Sequence, residues 1–306
     1  MLNHRLTLIC SLVAAAGALT APATAELLLY EGFDYDLNAS LAGQAGGYGF
    51  DAGDAWNVTT GGGASTAQSI VAPFAFSDFP VAGNAFSANA NTNPGRGGVT
   101  ATRRIGAHFP VVTGSTLYVS FLARPNNAAQ DDARRGRSEL LFTDSAGAAP
   151  NFRSRVKSES WETTADDRAG VGYNGDLTLA ATELSRQSTY LVIAEYTNVG
   201  VNASQQATIW FLTPAQYDAI KAGGITTTEL SSSGAISSVD YAANEALEAS
   251  DLLTLSVTTE FGHITRLLID EVRVMTSLTD IYNVPEPASL AMAAVALATI
   301  CARRRA

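Results

Sequence analysis

The strand predicted around Asp270 contains the residue whose placement most needs an explanation. The two-residue period of a β-strand puts Asp270 on one face with Leu268, Val272 and Val274. An aspartate on an apolar face is unfavourable unless it is ion-paired, hydrogen-bonded or bound to a metal. One explanation is a cation held by oxygen ligands, for which Ca²⁺ is favoured over transition metals. The other is that Asp270 caps a β-bulge or pairs with an arginine such as Arg103.

Aromatic residues in or beside the predicted loops could stack a flat ring on the face of a sugar. Four residues qualify: Trp56, Trp161, Tyr48 and Tyr173. Because aromatic residues of β proteins belong to the core more often than not, we expect about one of the four to be a true platform. The chemistry that these residues favour is carbohydrate binding.

Catalysis is not indicated by any motif. Glycoside hydrolysis needs two carboxylates about 5–5.5 Å or about 6.5–9.5 Å apart, but Glu159 and Glu162 are spaced so that they point to opposite sides of a strand. Outside the N-terminal segment the histidines are His108 and His263, without a Gly-x-Ser-x-Gly motif or a zinc-binding histidine pair. The sequence therefore predicts a protein that is not an enzyme.

The elements that position these residues are predicted to be strands throughout, rich in β-branched and aromatic residues and separated by Gly, Asn, Asp and Ser. One short helix is predicted over 215–222, with Thr213 as its cap, Pro214 in its first turn and Gly223 at its end. The fold class is all-β, an antiparallel two-sheet sandwich with one inserted helix. Strands are predicted at 27–30, 116–123, 140–142, 189–196, 207–212, 252–257 and 267–274.

The N-terminus has the features of a secretory signal peptide over residues 1–25. A weakly basic start precedes an apolar stretch and the small-residue box Ala23-Thr24-Ala25, so the mature chain should begin near Glu26. The two cysteines, Cys10 and Cys301, both lie in segments that are expected to be removed. The mature domain, residues 26–283, is therefore predicted to fold without a disulfide.

The C-terminal residues 284–306 carry a second targeting pattern. Val284-Pro285-Glu286-Pro287 leads into the apolar run 290–302, which is followed by Arg303-Arg304-Arg305. This order resembles the PEP-CTERM sorting signal of Gram-negative bacteria. The resemblance implies processing by an exosortase. The run has 13 residues, fewer than the ~20 of a stable membrane span, which favours a short hydrophobic helix that anchors the protein only transiently in the inner membrane.

Charge excludes one class of partner. Without the two terminal segments, 15 basic and 28 acidic residues remain, a net charge of about −13. A surface of this sign repels nucleic acid and anionic membranes and keeps the protein soluble. Nucleic-acid binding is excluded on this basis, and divalent cations become plausible partners.

The first and last strands of the domain provide a second resemblance. Tyr30-Glu31-Gly32-Phe33-Asp34 and residues 268–274 are similar to the terminal strands of concanavalin-like (laminin-G-type) jelly rolls. The resemblance implies that these strands lie side by side, bringing Glu31 and Asp34 close to Asp270. It further implies a structural Ca²⁺ at this seam.

Together these features predict a non-catalytic protein at the cell surface or in the extracellular matrix, associated with polysaccharide. Two alternatives stay open. The domain could be a structural or protein-adhesion module without affinity for glycans. It could also be a diverged glycoside hydrolase.

Overall fold

The computed structural model describes residues 27–60, 68–89, 99–106, 114–126, 136–143, 152–158, 167–172, 178–185, 188–199, 201, 204–241, 254–260 and 266–282. The predicted signal peptide, the C-terminal tail and two of the four aromatic candidates, Trp161 and Tyr173, lie outside these residues. Within them, no helix is long and apolar enough to cross a membrane.

Strands dominate the described part of the chain. They are β1 (Leu27–Glu31), β2 (Asn57–Thr60), β3 (Gln68–Val71), β4 (Ala85–Asn89), β5 (Val99–Arg104), β6 (Leu117–Asn126), β7 (Gly136–Thr143), β8 (Phe152–Ser158), β9 (Asp167–Gly172), β10 (Thr178–Glu183), β11 (Tyr190–Thr197), β12 (Gln206–Leu212), β13 (Ile236–Tyr241), β14 (Thr254–Glu260) and β15 (Arg266–Met275).

These strands form two antiparallel sheets, as predicted. The eight-stranded sheet has the order β13-β12-β11-β6-β15-β4-β3, with β1 paired to β15, and the seven-stranded sheet has the order β10-β9-β8-β7-β14-β5-β2. The chain crosses repeatedly between the sheets. The first strand lies beside the last, with Leu27 opposite Met275 and Glu31 opposite Val272, which confirms the predicted adjacency of the terminal strands.

The eight-stranded sheet is covered on both faces, and β11 shows why. Tyr190, Val192 and Tyr196 lie in the core between the two sheets, whereas Leu191 and Ile193 lie in a second apolar cluster on the outer face. A strand buried on both sides reads as a continuous apolar run, as β11 does. This second cluster is covered by residues 74–81, by two short helices and by the 3₁₀ turn Leu278–Tyr282.

The predicted helix is present as α1, Pro214–Ile220. The Thr213 side chain accepts a hydrogen bond from the backbone of Gln216, and the Gln216 side chain accepts one from the backbone of Thr213. This reciprocal capping box, together with Pro214, fixes the start of the helix. A further helix, α2 (Thr227–Ser232), was not predicted.

A β-bulge in β15 changes the predicted faces of that strand. The pairing of β15 with β6 shifts between Asp270 and Arg273, and Glu271 adopts a φ of +56°. As a result Val272 lies in the core between the sheets, whereas Leu268 lies in the outer cluster. The prediction that Leu268, Asp270 and Val272 share one face is wrong, because the extra residue of the bulge reverses the alternation after Asp270.

Candidate functional site

Glu31, at the end of β1, is fully buried and surrounded by hydrogen-bond donors. Its Oε1 accepts from the backbone N–H of Phe33 at 2.8 Å. Its Oε2 accepts from Trp56 Nε1 at 2.9 Å, from the Tyr35 hydroxyl at 3.0 Å and from Arg103 Nη1 at 3.3 Å. Burial raises the pKa of Glu31, and these hydrogen bonds and the arginine charge act in the opposite direction.

The three residues predicted to hold Ca²⁺ do not meet. The donors around Glu31 occupy its carboxylate, Asp34 is exposed, and Asp270 lies on the outer face of the eight-stranded sheet. No cluster of metal-binding side chains occurs within the described residues. Glu31 points between the two sheets and Asp270 points to the outer face, so these two carboxylates lie on opposite sides of the eight-stranded sheet and do not fit one calcium site.

Asp270 is instead a buried residue at the bulge. Its Oδ2 accepts from the backbone N–H of Phe74 at 3.1 Å. Burial, together with the neighbouring charge of Glu271, raises the pKa of Asp270 from 3.8 to about 8. Arg103 does not pair with it, because Arg103 is bound to Glu31. The bulge explanation of Asp270 is the one that the structure supports.

The residues after Asp270 form a second buried polar cluster on the same outer face. Arg273 Nη2 lies 2.6 Å from Glu271 Oε2 and donates to the carbonyl of Pro80 at 2.8 Å. Glu271 also accepts from the Tyr30 hydroxyl and from the backbone of Ala82. These contacts attach the covering segment to the sheet, so the cluster has a structural role.

A cleft of about 330 Å³ opens beside the Glu31–Arg103 pair. Tyr48 stands on its rim and is 53 % exposed. The Tyr48 backbone exchanges two hydrogen bonds with Tyr30, at 2.8 and 3.0 Å. The cleft is lined by Leu28, Ala45, Gly47, Tyr48, Gly49, Phe50, Asp51, Ala52, Gly53, Arg103 and Gly106.

The glycines on either side of Tyr48 allow this loop to lie directly on β1. Gly47 and Gly49 have φ values of +79° and +85°, in the region that favours glycine. A Cβ at Gly49 would lie 2.2 Å from the carbonyl oxygen of Leu28. The Gly47-Tyr48-Gly49 sequence therefore fixes the backbone and leaves the tyrosine ring in solvent.

Arg103 forms the floor of the cleft, and the charge of this buried side chain is already neutralised by Glu31. The Arg103 guanidinium lies 4.0 Å from the centre of the Phe50 ring and donates to Glu31 and to the carbonyl of Gly46. Asp51, at the mouth of the cleft, lies 3.7 Å from the exposed Arg104. Sequence reasoning did not select Phe50, Asp51 or Arg103 as site residues. The Gly-x-Gly spacing around Tyr48 was the signal that could have done so.

Two of the four predicted sugar platforms, Tyr48 and Trp56, lie within the described residues, and one of these two is exposed. Tyr48 is exposed on the cleft, as a platform requires. The prediction that Trp56 is a sugar platform is wrong, because this residue is 1 % exposed. It packs against Phe33 and Phe50 and donates its indole N–H to Glu31.

Comparison with known protein families identifies one element of the chain, and this element lies in the C-terminal tail. Residues 283–305 match the PEP-CTERM protein-sorting motif. The chain carries an exosortase sorting signal. That signal implies an exported protein of the cell surface or the extracellular space, with an exosortase as its processing partner. No curated protein matches the sequence significantly.

Several solved structures are distantly similar to this chain. The endo-1,3-beta-glucanase of Streptomyces sioyaensis is 11 % identical, with a TM-score of 0.44, over 84 % of this chain and 98 % of that one. Winged bean acidic lectin is 7 % identical, with a TM-score of 0.41, over 81 % of this chain and 98 % of the lectin chain. The calreticulin globular domain of T. cruzi is 8 % identical, with a TM-score of 0.41, over 84 % of this chain and 91 % of the calreticulin domain. At TM-scores below 0.5 these likenesses carry no information on ligand or activity.

Proposed function

We propose that the exported domain is a non-catalytic protein that binds an extracellular polysaccharide through the Tyr48 cleft. The observation that carries this proposal is the exposed ring of Tyr48, which is held by a fixed backbone over a concave surface. A large ring left in solvent on a rigid loop loses little conformational freedom when it covers a ligand. An apolar ring face with polar groups nearby is also the usual composition of a small-ligand site.

The charges around the cleft favour a neutral glycan. The mature net charge of about −13 opposes the approach of a polyanion. Arg103 is neutralised by Glu31, so it offers little attraction for a uronate or a sulfate. The carboxylate of Asp51 at the mouth of the cleft is an acceptor, and an acceptor suits the hydroxyl groups of a neutral sugar.

The lining of the cleft favours binding over hydrolysis. Among the described residues that line the cleft, Asp51 is the one carboxylate, and the hydrolysis of a glycosidic bond ordinarily uses two. Glu31 lies behind Arg103, is buried and is saturated with donors. These features support a polysaccharide-binding surface protein rather than a diverged hydrolase.

The test is a glycan-binding screen of the mature protein that includes the exopolysaccharide of its own host. We expect saturable binding without new reducing ends, at least tenfold weaker in Tyr48→Ala. Leu37→Ala is the matched control, since Leu37 is also exposed and does not line the cleft. If no glycan binds, the domain is a structural or protein-adhesion module. If reducing ends accumulate, it is a hydrolase.

A further inference from the structure

The folded domain continues up to the residue that precedes the sorting motif. The 3₁₀ turn Leu278–Tyr282 packs its Leu278 and Ile281 side chains into the outer cluster, and Ile281 is 0 % exposed. The ring of Tyr282 lies 6.3 Å from that of Tyr217 in α1. The motif match then begins at residue 283. Domain and sorting signal are therefore joined without a spacer.

This arrangement limits how far the motif extends from the protein surface. Pro285 is three residues beyond Tyr282, which corresponds to roughly 10 Å of fully extended chain. An enzyme that cuts a peptide bond binds several residues in an extended form, and cleavage sites in folded proteins concentrate where the backbone is exposed and locally open. A packed turn so close to the motif therefore obstructs the approach of a processing enzyme embedded in the membrane.

The turn can leave the domain without disturbing the sheets. It follows β15, whose end is held on both sides, with Met275 opposite Leu27 of β1 and opposite Tyr118 of β6. The sheet pairing of β15 ends there, and the turn beyond it packs Leu278 and Ile281 into the outer cluster, with Asp280 also buried. Segments of this kind open locally while the remainder stays folded.

We propose that the Leu278–Tyr282 turn controls processing by the exosortase, which acts on chains whose turn has left the outer cluster. The packed turn thus keeps the precursor anchored, and local opening sets the rate of release. This inference rests on the sorting motif and is independent of the glycan-binding proposal.

The experiment is a pulse–chase measurement of the full-length precursor in cells that contain its exosortase. A ten-residue Gly/Ser spacer inserted between Tyr282 and Asn283 should speed processing on the order of tenfold, because the motif becomes accessible while the turn stays packed. Ile281→Ala should act in the same direction by weakening the packing. Controls are the same insert after the exposed Gly43, which does not line the cleft, and the Leu37→Ala variant, both of which should process at the wild-type rate.

Equal rates for the wild type and the spacer variant would overturn the proposal. So would an acceleration by the Gly43 insert as large as that by the spacer, since it would point to general destabilisation. Absence of processing in every variant would overturn the proposal and the sorting assignment together. The glycan screen decides the binding proposal separately in each of these cases.

Discussion

Arg103 and Glu31 form an ion pair between the two sheets, with Arg103 Nη1 3.3 Å from Glu31 Oε2 and both side chains almost completely buried. Glu31 ends β1 of the eight-stranded sheet, and Arg103 belongs to β5 of the seven-stranded sheet. Trp56 and Tyr35 complete the shell around the carboxylate. The pair therefore holds the two sheets together at the point where the Tyr48 cleft opens.

Removal of one partner of this pair should be more damaging than removal of both. Arg103→Met leaves a buried carboxylate without its cation, and we expect a loss of about 3–5 kcal/mol in the free energy of unfolding. Glu31→Gln leaves the guanidinium unpaired and should have a similar effect. The double variant should lose clearly less than the sum, as measured by urea denaturation of all four proteins. Additive losses would show that the two groups do not interact.

The close approach of the Tyr48 loop to β1 predicts a contrast between two glycines. Gly49→Ala places a methyl group against the carbonyl of Leu28, whereas Gly43 has a nearly identical φ of +84° with no atom within 4 Å of the added Cβ. Gly43→Ala should lose about 1–2 kcal/mol from backbone strain alone. Gly49→Ala should lose more and should also weaken glycan binding. Thermal unfolding and binding titrations check both effects, and equal losses for the two variants would contradict the packing described.

Asp270 predicts a pH dependence of stability with a defined sign. Because the pKa of Asp270 is raised from 3.8 to about 8, the folded state keeps this proton while the unfolded state releases it near pH 4. The stability that the neutral Asp270 contributes is fully present below about pH 4 and falls by about 1.4 kcal/mol per pH unit until about pH 8.

The variant Asp270→Asn removes this titration, because asparagine is neutral at every pH. It should be more stable than the wild type at pH 8, and the difference should shrink towards pH 4. Unfolding curves collected across this range measure the effect. If the difference in free energy of unfolding between the wild type and Asp270→Asn does not change with pH, Asp270 titrates normally.

Calcium should not act through the residues predicted to bind it. Glu31 is saturated by donors, Asp34 is exposed, and no cluster of metal-binding side chains occurs within the part of the chain that the structure describes. The melting temperatures of the wild type and of Asp34→Ala should therefore respond identically when calcium is replaced by a chelator. A drop in the wild type that Asp34→Ala abolishes would restore the calcium site. Differential scanning fluorimetry is sufficient for this test.

Local signals predicted the elements that are fixed by their own residues. Thr213 and Pro214 predicted the start of α1 because a cap and an N-terminal proline act within one turn. The strands at 189–196 and 207–212 were predicted because both are rich in β-branched and aromatic residues, and they are present as β11 and β12, with Ile193 opposite Trp210. The exposure of Tyr48 also agrees with its assignment to a loop.

The misplaced residues depend on contacts that the sequence does not display. A bulge was one explanation offered for Asp270, but nothing in the type of Glu271 indicates a positive φ, so the reversed faces of β15 were not predicted. Trp56 follows a glycine-rich stretch and looked like a loop residue. Its burial depends on Glu31, a partner far away in the chain, whose carboxylate accepts the indole N–H.

Short or polar strands were missed for a related reason. β2 (Asn57–Thr60) has four residues and is mostly exposed, so it shows little apolar alternation. β4 (Ala85–Asn89) is absent from the predicted strands, because its residues Ala-Phe-Ser-Ala-Asn include one aromatic and no β-branched residue. Such strands are held by their neighbours in the sheet rather than by their own propensity.

The position of β15 has a consequence for the order in which the protein is made. This strand lies between β6 and β4 and also pairs with β1, so the eight-stranded sheet has an open gap until residues 266–275 arrive. Contacts that span almost the whole chain give a high contact order and slow folding. During export the eight-stranded sheet stays incomplete until β15 is delivered, and this strand is followed along the chain by the Leu278–Tyr282 turn and then by the sorting motif.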